Sequence, residues 1–200
     1  QLYTETILAC QHMWEIISYC EGEIVSWVNQ SLRNVTIVWE SAVKIHAKDL
    51  RNHLLTISKY YAECNASFHI KSKIKAVLSS INIILALKSA PLRKRHLQNI
   101  NQAFFPGLEL HSMNDDVISC KTLYDFHIYK HIDELEKIMA LAVRQHSVER
   151  ALKNISKMWT KAKLEFSTSS LLQPRIDFHQ TLFEKIEDHR IVIESILNGQ

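Results

Sequence analysis

A pair of histidines followed by two carboxylates comes closest to a metal-binding motif in this sequence. His127 and His131 are four residues apart, and Asp133 and Glu134 follow directly. Residues four apart share one face of a helix, so two imidazoles at this spacing could ligate one metal ion. The sequence has no HExxH motif and no third ligand at a fixed distance. We therefore expect ordinary, partly exposed histidines and no metal site.

A short basic run is the second candidate for chemistry. Arg93, Lys94, Arg95 and His96 are consecutive, and such a run could contact phosphate or an acidic surface. The alternative is a solvated helix face, with one arginine turned back to cap the carbonyls of a neighbouring helix. We favour the alternative. ATP chemistry needs a glycine-rich phosphate loop of the form GxxxxGK[ST], and the sequence contains none. We expect no cofactor, neither ATP nor Mg, in this chain.

The cysteines and tryptophans are expected to serve packing. The four cysteines are scattered without a CxxC pair, which favours buried reduced thiols. The tryptophans lie at or near apolar stripes, which favours the core over a binding platform. Four asparagines match the glycosylation acceptor pattern, and we interpret these matches as coincidence. The residues are Cys10, Cys20, Cys64, Cys120; Trp14, Trp27, Trp39, Trp159; and Asn29, Asn34, Asn65, Asn154.

Composition predicts an all-α fold. The 200 residues include only three glycines and three prolines, too few for the turns of an all-β fold or for clustered phosphate-binding glycines. The net charge of +3 predicts no nucleic-acid partner. The most apolar run is about a dozen residues, short of the ~20 that span a bilayer, so we expect no membrane partner. We also expect no signal segment, and a chain that is an excerpt of a longer protein.

The basic run follows a break in the most apolar helix of the chain. Between residues 74 and 87 apolar side chains recur at three- and four-residue spacing, which predicts a helix buried on a wide face. Pro91 cannot donate a backbone N–H, and its ring disfavours a helical Ala90, so the helix must end there. The chain restarts at Leu92. A buried helix, a fixed break and a short basic helix predict a corner around which the other elements pack.

Longer amphipathic segments lie on both sides of this corner. We predict helices at residues 4–29, 35–61, 92–104 and 129–166, a polar linker at 167–170, and a last helix with Pro174 in its first turn. The predicted buried stripe of the first helix is Ile7, Trp14, Ile17, Ile24 and Trp27 or Val28. That of the second helix is Val35, Val38 or Trp39, Ala42, Ile45, Leu50, Leu54, Ile57 and Tyr61. The predicted fold is an elongated bundle of long antiparallel helices with short connections, divided into an N-terminal helical pair (1–66) and a linker-type bundle (67–200).

Three stretches of this sequence resemble dynein heavy chains of the axonemal type. Residues 83–100 resemble the place where an apolar helix enters Leu-Arg-x-Arg-His-Trp, with Leu97 at the position of the family's tryptophan. Residues 123–142 resemble a short helix followed by a charged helix. Residues 149–166 are similar to E-x-x-L-x-x-I-x-x-x-W-x-x-x-x-F. The resemblance covers nearly the whole chain, and Leu97 indicates a divergent member.

The resemblance implies a non-catalytic segment at the junction of the tail and the linker of a microtubule motor. Such a linker transmits nucleotide-driven movement of the ATPase ring to the tail. ATP and Mg would be bound by the parent motor. The implied partners are the AAA+ ring modules of the same heavy chain, intermediate and light chains and, indirectly, microtubules, in the cytoplasm, cytoskeleton and cilium axoneme. The residues that carry the structural signature are Pro91, Leu92, Arg95, His96, Leu97 and Trp159.

Two other classes stay open at this point. A secreted four-helix signalling protein would account for the glycosylation patterns, the four cysteines and the helical periodicity. A stand-alone helical scaffold that binds partner helices would account for the periodicity alone.

Overall fold

Helices dominate the computed structural model, which describes residues 2–60, 65–114, 116–162, 166–168, 174–176 and 180–198. The all-α prediction is confirmed, with the addition of one small antiparallel sheet. The elements are α1 (Leu2–Val28), α2 (Ile37–Tyr60), α3 (Asn65–Ser89), α4 (Lys94–Phe104), α5 (Cys120–Asp125), α6 (Ile132–Trp159), β1 (Phe166–Thr168), β2 (Pro174–Ile176) and α7 (Gln180–Asn198), with 3₁₀ turns at Leu32–Asn34 and Ile128–Lys130.

The chain divides into two compact units, residues 1–143 and 144–200, and α6 begins in the first and ends in the second. The predicted division into residues 1–66 and 67–200 stays a prediction. The elongated arrangement of antiparallel helices also stays a prediction. Within the described residues, no helix combines the length and apolarity needed to cross a bilayer.

Helix α3 lies at the centre of the first unit. Ile70, Ile74, Val77, Ile81 and Ile84 are almost fully buried and recur at three- and four-residue spacing. The helices α1, α2 and α5 and the 3₁₀ turn at Ile128–Lys130 all pack against α3. The serine that interrupts this stripe, at position 80, donates its hydroxyl to the carbonyl of residue 76 at 2.9 Å, so it is buried without an unsatisfied donor.

The buried face of α2 differs from the predicted one. Val43, Ala47, Leu50 and Leu54 are buried, whereas Ile45 is exposed. At ~100° per residue, Ile45 lies about 140° around the helix from Leu50, so the predicted stripe combined two faces. Two apolar rows run along α2, and the fold buries only one of them.

The first helix shows a similar difference. Ile17, Cys20 and Ile24 are buried, as is Trp27, whereas Trp14 keeps 58% of its surface exposed. The expectation that Trp14 is a core residue is therefore wrong.

The long helix α6 ends earlier than predicted. After Trp159 the chain forms hydrogen bonds of the 3₁₀ type, between residues three apart. The N–H of Lys161 donates to the carbonyl of Met158, and the N–H of Ala162 donates to the carbonyl of Trp159. The chain then forms a hairpin in which Phe166 lies opposite Ile176. Apolar spacing alone did not distinguish a continuing helix from this strand.

The last helix begins at Gln180, later than predicted. Pro174 lies in β2, opposite Thr168, and not in a first helical turn. A proline is acceptable at the start of a short strand, where no ladder bond requires its missing N–H. Of the predicted linker, residues 167 and 168 lie in β1, and residues 169 and 170 lie outside the described residues.

Candidate functional site at the Pro91 corner

The Pro91 corner, residues 89–97, joins the central helix α3 to α4. The helix ends at Ser89, whose hydroxyl donates to the carbonyl of Ala86 at 2.9 Å. Leu92 donates its N–H to the carbonyl of Ala90 at 2.7 Å, which reverses the chain tightly around the proline. The predicted stop at Pro91 and the short helix after it are confirmed.

His96 fixes the start of α4. Its ring is 3% exposed, and its Nδ1 accepts a hydrogen bond of 3.0 Å from the backbone N–H of Arg93. This bond satisfies the backbone N–H of the N-cap residue in the way that the side chain of the third helical residue does in a capping box. It also requires an unprotonated Nδ1. The basic run therefore contains one buried structural histidine, while Arg95 next to it is exposed.

Lys88, in the last turn of α3, caps a different part of the chain. Its Nζ donates to the carbonyl of Leu32 at 2.9 Å, to that of Arg33 at 3.2 Å and to that of Val35 at 2.7 Å. We call this arrangement the Lys88 cap. An ammonium has three N–H groups, so all of its donors are used. The cap ties the connection between α1 and α2 to the end of α3.

The electrostatics of the cap follow from its burial. Desolvation lowers the pKa of Lys88, and the nearby Cys120 offsets part of this. Burial raises the pKa of the Cys120 thiol to about 11, against a smaller opposite influence of Lys88. Cys120 is therefore a protonated, inert thiol at neutral pH, and not a nucleophile.

The same connection is held from its other side by a short backbone pairing. The N–H of Leu32 donates to the carbonyl of Ile118 at 2.9 Å, and that of Cys120 donates to the carbonyl of Gln30 at 2.8 Å. These bonds place Ser31 opposite Ser119 in an isolated antiparallel bridge. Three separate regions of the chain, around residues 32, 88 and 119, thus meet beside the corner.

A cleft of about 870 Å³ lies along the corner, between the end of α3, α4 and residues 108–114. Leu97 and Leu110 are buried in its walls, and Lys94 and Glu109 line it with polar groups. Asn101 donates its Nδ2 to the carbonyl of Leu110 at 3.1 Å, and its Oδ1 is a buried acceptor that no described group satisfies.

Five of the six predicted signature residues therefore meet at the corner: Pro91, Leu92, Arg95, His96 and Leu97. Leu92 and Leu97 pack on the core. Sequence reasoning missed Lys88. The available signal was a lone lysine in the last turn of a helix that is otherwise uncharged after residue 75, because a cation is favoured at the C-terminal end of the helix dipole.

Comparison with known proteins decides the family. The family model described as dynein heavy chain, N-terminal region 2, matches residues 2–200. The chain belongs to this family.

The curated relatives of this dynein heavy-chain region are axonemal or ciliary by name. Human dynein axonemal heavy chain 9 is 21% identical over 191 residues, and mouse dynein axonemal heavy chain 17 is 21% identical over 193 residues. The ciliary dynein beta chain of Tripneustes gratilla is 20% identical over 190 residues. Each alignment covers 94% of this chain, and the chain spans only 4% of the length of each relative.

The sixth predicted signature residue, Trp159, belongs to the second unit. It is half-buried, and its Nε1 donates to Nδ1 of His189 in α7 at 3.1 Å. The two rings also meet edge to face, with centroids 5.9 Å apart. Trp159 therefore joins α6 to α7.

The two histidines at metal-ligand spacing have separate partners. His127 has a left-handed backbone, with φ 57°, and its Nδ1 lies 3.2 Å from the hydroxyl of Tyr129. His131 packs against Phe104, with ring centroids 5.0 Å apart. The two residues flank a 3₁₀ turn and do not share a helix face. Within the described residues, no cluster of three or more His, Cys, Asp or Glu could hold a metal ion.

The cysteines agree only in part with the expectation of buried thiols. Cys20 and Cys120 are buried and free, whereas Cys10 is exposed. Cys64 lies outside the described residues.

Proposed function

We propose that this chain is a non-catalytic mechanical segment of a dynein-type motor, at the junction of tail and linker, which transmits movement of the ATPase ring to the tail. The observation that carries the proposal is the family match over residues 2–200. ATP hydrolysis belongs to other parts of the heavy chain in this proposal. The names of the relatives support a place in the cilium axoneme and the cytoskeleton.

The structure of the first unit suits a mechanical role. Three regions distant in sequence are tied beside the Pro91 corner, by the Lys88 cap and by the bridge between Ser31 and Ser119. Ties of this kind oppose a change of angle between helices, because any such change would expose buried carbonyls or leave them without donors. The partners we propose are the AAA+ ring modules of the same heavy chain, intermediate and light chains and, through the motor, microtubules.

A proline in the middle of α6 tests the mechanical role. Ser147 is exposed, so its side chain contributes little to packing. In the full heavy chain, Ser147→Pro removes one helix hydrogen bond, clashes with the preceding turn and costs about 3 kcal/mol or more of helix stability. We expect basal ATP turnover to stay near wild type while microtubule gliding slows several-fold, with both rates measured on one preparation.

Ser147→Ala is the matched control, because alanine keeps the helix straight. It should change neither rate. Gliding of the Ser147→Pro motor at wild-type speed, with the kink confirmed structurally, would show that α6 does not transmit force. A melting temperature measured for both variants separates a kinked helix from an unfolded one.

A further inference from the structure

The last helix, α7, carries an apolar face that the described chain covers only in part. Ile186 and Ile193 expose 40% and 38% of their surfaces, and Leu197 exposes 64%. At 100° per residue these three positions lie within about 40° of one another, so they form one stripe along the helix. A stripe of this kind normally faces a packed neighbour.

Helix α6 packs beside this stripe and covers one side of it. A groove of about 420 Å³ lies between the two helices, lined by Ile155 and Trp159 of α6 and by Ile186 and Ile193 of α7. The bond and ring contact of Trp159 with His189 fix the spacing of the helices. We call this site the α6–α7 groove. One turn earlier, Leu152 on the same face of α6 is 45% exposed and extends the apolar surface.

The charges along the rim are already paired within α7. Arg190 lies 3.0 Å from a carboxylate oxygen of Glu187 and 3.7 Å from one of Glu194. The groove therefore does not call for a charged ligand. Its apolar walls suit branched aliphatic side chains. The stripe from residue 186 to 197 is ~16 Å long, which is the length of about three turns of a helix packed along it.

The heavy chain itself is the most direct source of such a helix. The chain spans 4% of the length of its relatives and matches a family named as an N-terminal region, so in those relatives most of the heavy chain lies outside the matched part. A helix of the same polypeptide has a high effective concentration at the groove, which a separate protein lacks.

We propose that the α6–α7 groove is the docking site of an amphipathic helix from the heavy-chain segment that follows residue 200. The apolar stripe of that helix packs on Ile155, Ile186 and Ile193, and completes the packing of the second unit. The proposal rests on the family membership and on this groove, and it is independent of how force is transmitted.

Thiol labelling in the full heavy chain tests the docking. Ile193→Cys places a thiol in the groove, and Ile191→Cys places one on the outer side of α7, where Ile191 is 59% exposed. The exposures of the two positions in this chain alone differ by less than a factor of two. A docked helix should slow maleimide labelling at position 193 by about tenfold or more relative to position 191. Labelling is read by mass spectrometry of the α7 peptide, so native cysteines do not interfere.

A second position and a cross-link make every outcome decisive. Ile186→Cys, two turns earlier in the stripe, should show the same protection, and protection at neither groove position overturns the proposal. A photo-reactive maleimide on the Ile193→Cys thiol then identifies the occupant. A cross-link to a peptide beyond residue 200 of the same polypeptide, which leaves the heavy chain at its single-chain mass on a denaturing gel, supports the proposal. A cross-link to any other peptide, including one of a second heavy chain or of an associated chain, overturns it.

Discussion

Lys88 shows how one residue can hold three regions of the chain together. Its aliphatic stem leaves a largely apolar helix, and its ammonium donates to three carbonyls of the connection between α1 and α2. Lys88→Met keeps the stem and removes the donors. The carbonyl of Leu32 keeps the N–H of Val35 as a donor at 3.2 Å, whereas those of Arg33 and Val35 lose the ammonium, so we expect a loss of about 2–3 kcal/mol in the free energy of unfolding. Urea denaturation followed by circular dichroism measures it.

Lys94→Met is the matched control for Lys88→Met. Lys94 is exposed at the start of α4, and its replacement should change the free energy of unfolding by less than about 0.5 kcal/mol. Equal denaturation midpoints for the two variants would show that the Lys88 cap contributes nothing to stability.

The cysteines differ in their expected reactivity. Cys10 is exposed, whereas Cys20 and Cys120 are buried, and burial raises the pKa of both buried thiols, that of Cys120 to about 11. At pH 7 we expect N-ethylmaleimide to modify Cys10 within minutes and the other two only after addition of denaturant. Modification of Cys120 at the rate of Cys10 in the folded chain would contradict the burial.

The same two thiols set a direction for stability at alkaline pH. Their pKa in the folded state lies above the ordinary value of 9.0, so the folded state binds more protons than the unfolded state above pH 9. Their contribution to stability is complete below pH 9 and is lost as the pH rises from 9 towards 11.

Among the elements, the Pro91 corner was predictable and the buried face of α2 was not. A proline acts through its own ring and the residue before it, so its effect is local and can be inferred from the sequence. The choice between the two apolar rows of α2 depends on where α1 and α3 lie.

His96 was predicted as a structural residue from the family resemblance, and its bond to Arg93 gives that role a physical basis. The carbonyls that Lys88 contacts lie more than 50 residues away, so no local pattern indicated them.

At the scale of one helix, α3 should be far more sensitive on its buried side than on its exposed side. Ile84 is fully buried, and Ile84→Ala removes three carbons from the centre of the first unit. We expect a loss of about 2–5 kcal/mol in the free energy of unfolding. Phe68, on the same helix, is 76% exposed, and Phe68→Ala should cost less than about 0.5 kcal/mol. Similar urea midpoints for the two variants would contradict the packing of α3.

The whole chain is less evenly stabilised than its periodic sequence indicates. The sequence predicted stripes of comparable strength in the early and late helices, but periodicity does not reveal whether a partner covers a stripe. In the first unit the partners are present. Beyond residue 143, no side chain that the structure describes is classed as buried. The division of the chain inside α6 could not be predicted, because the helix is continuous across it.

This difference predicts a gradient of hydrogen exchange along the chain. Amide protection depends on the free energy of the opening that exposes each N–H, and that free energy is highest where apolar contacts surround the helix. In the 200-residue chain at neutral pH, we expect amides of α3 between residues 74 and 87 to exchange about 100-fold or more slowly than those of α7. Mass spectrometry of peptic peptides resolves the two helices. In the full heavy chain, docking on the α6–α7 groove should raise the protection of α7 and leave that of α3 unchanged. Protection of α7 equal to that of α3 in the 200-residue chain would mean that the second unit is stable by itself, without a helix from outside it.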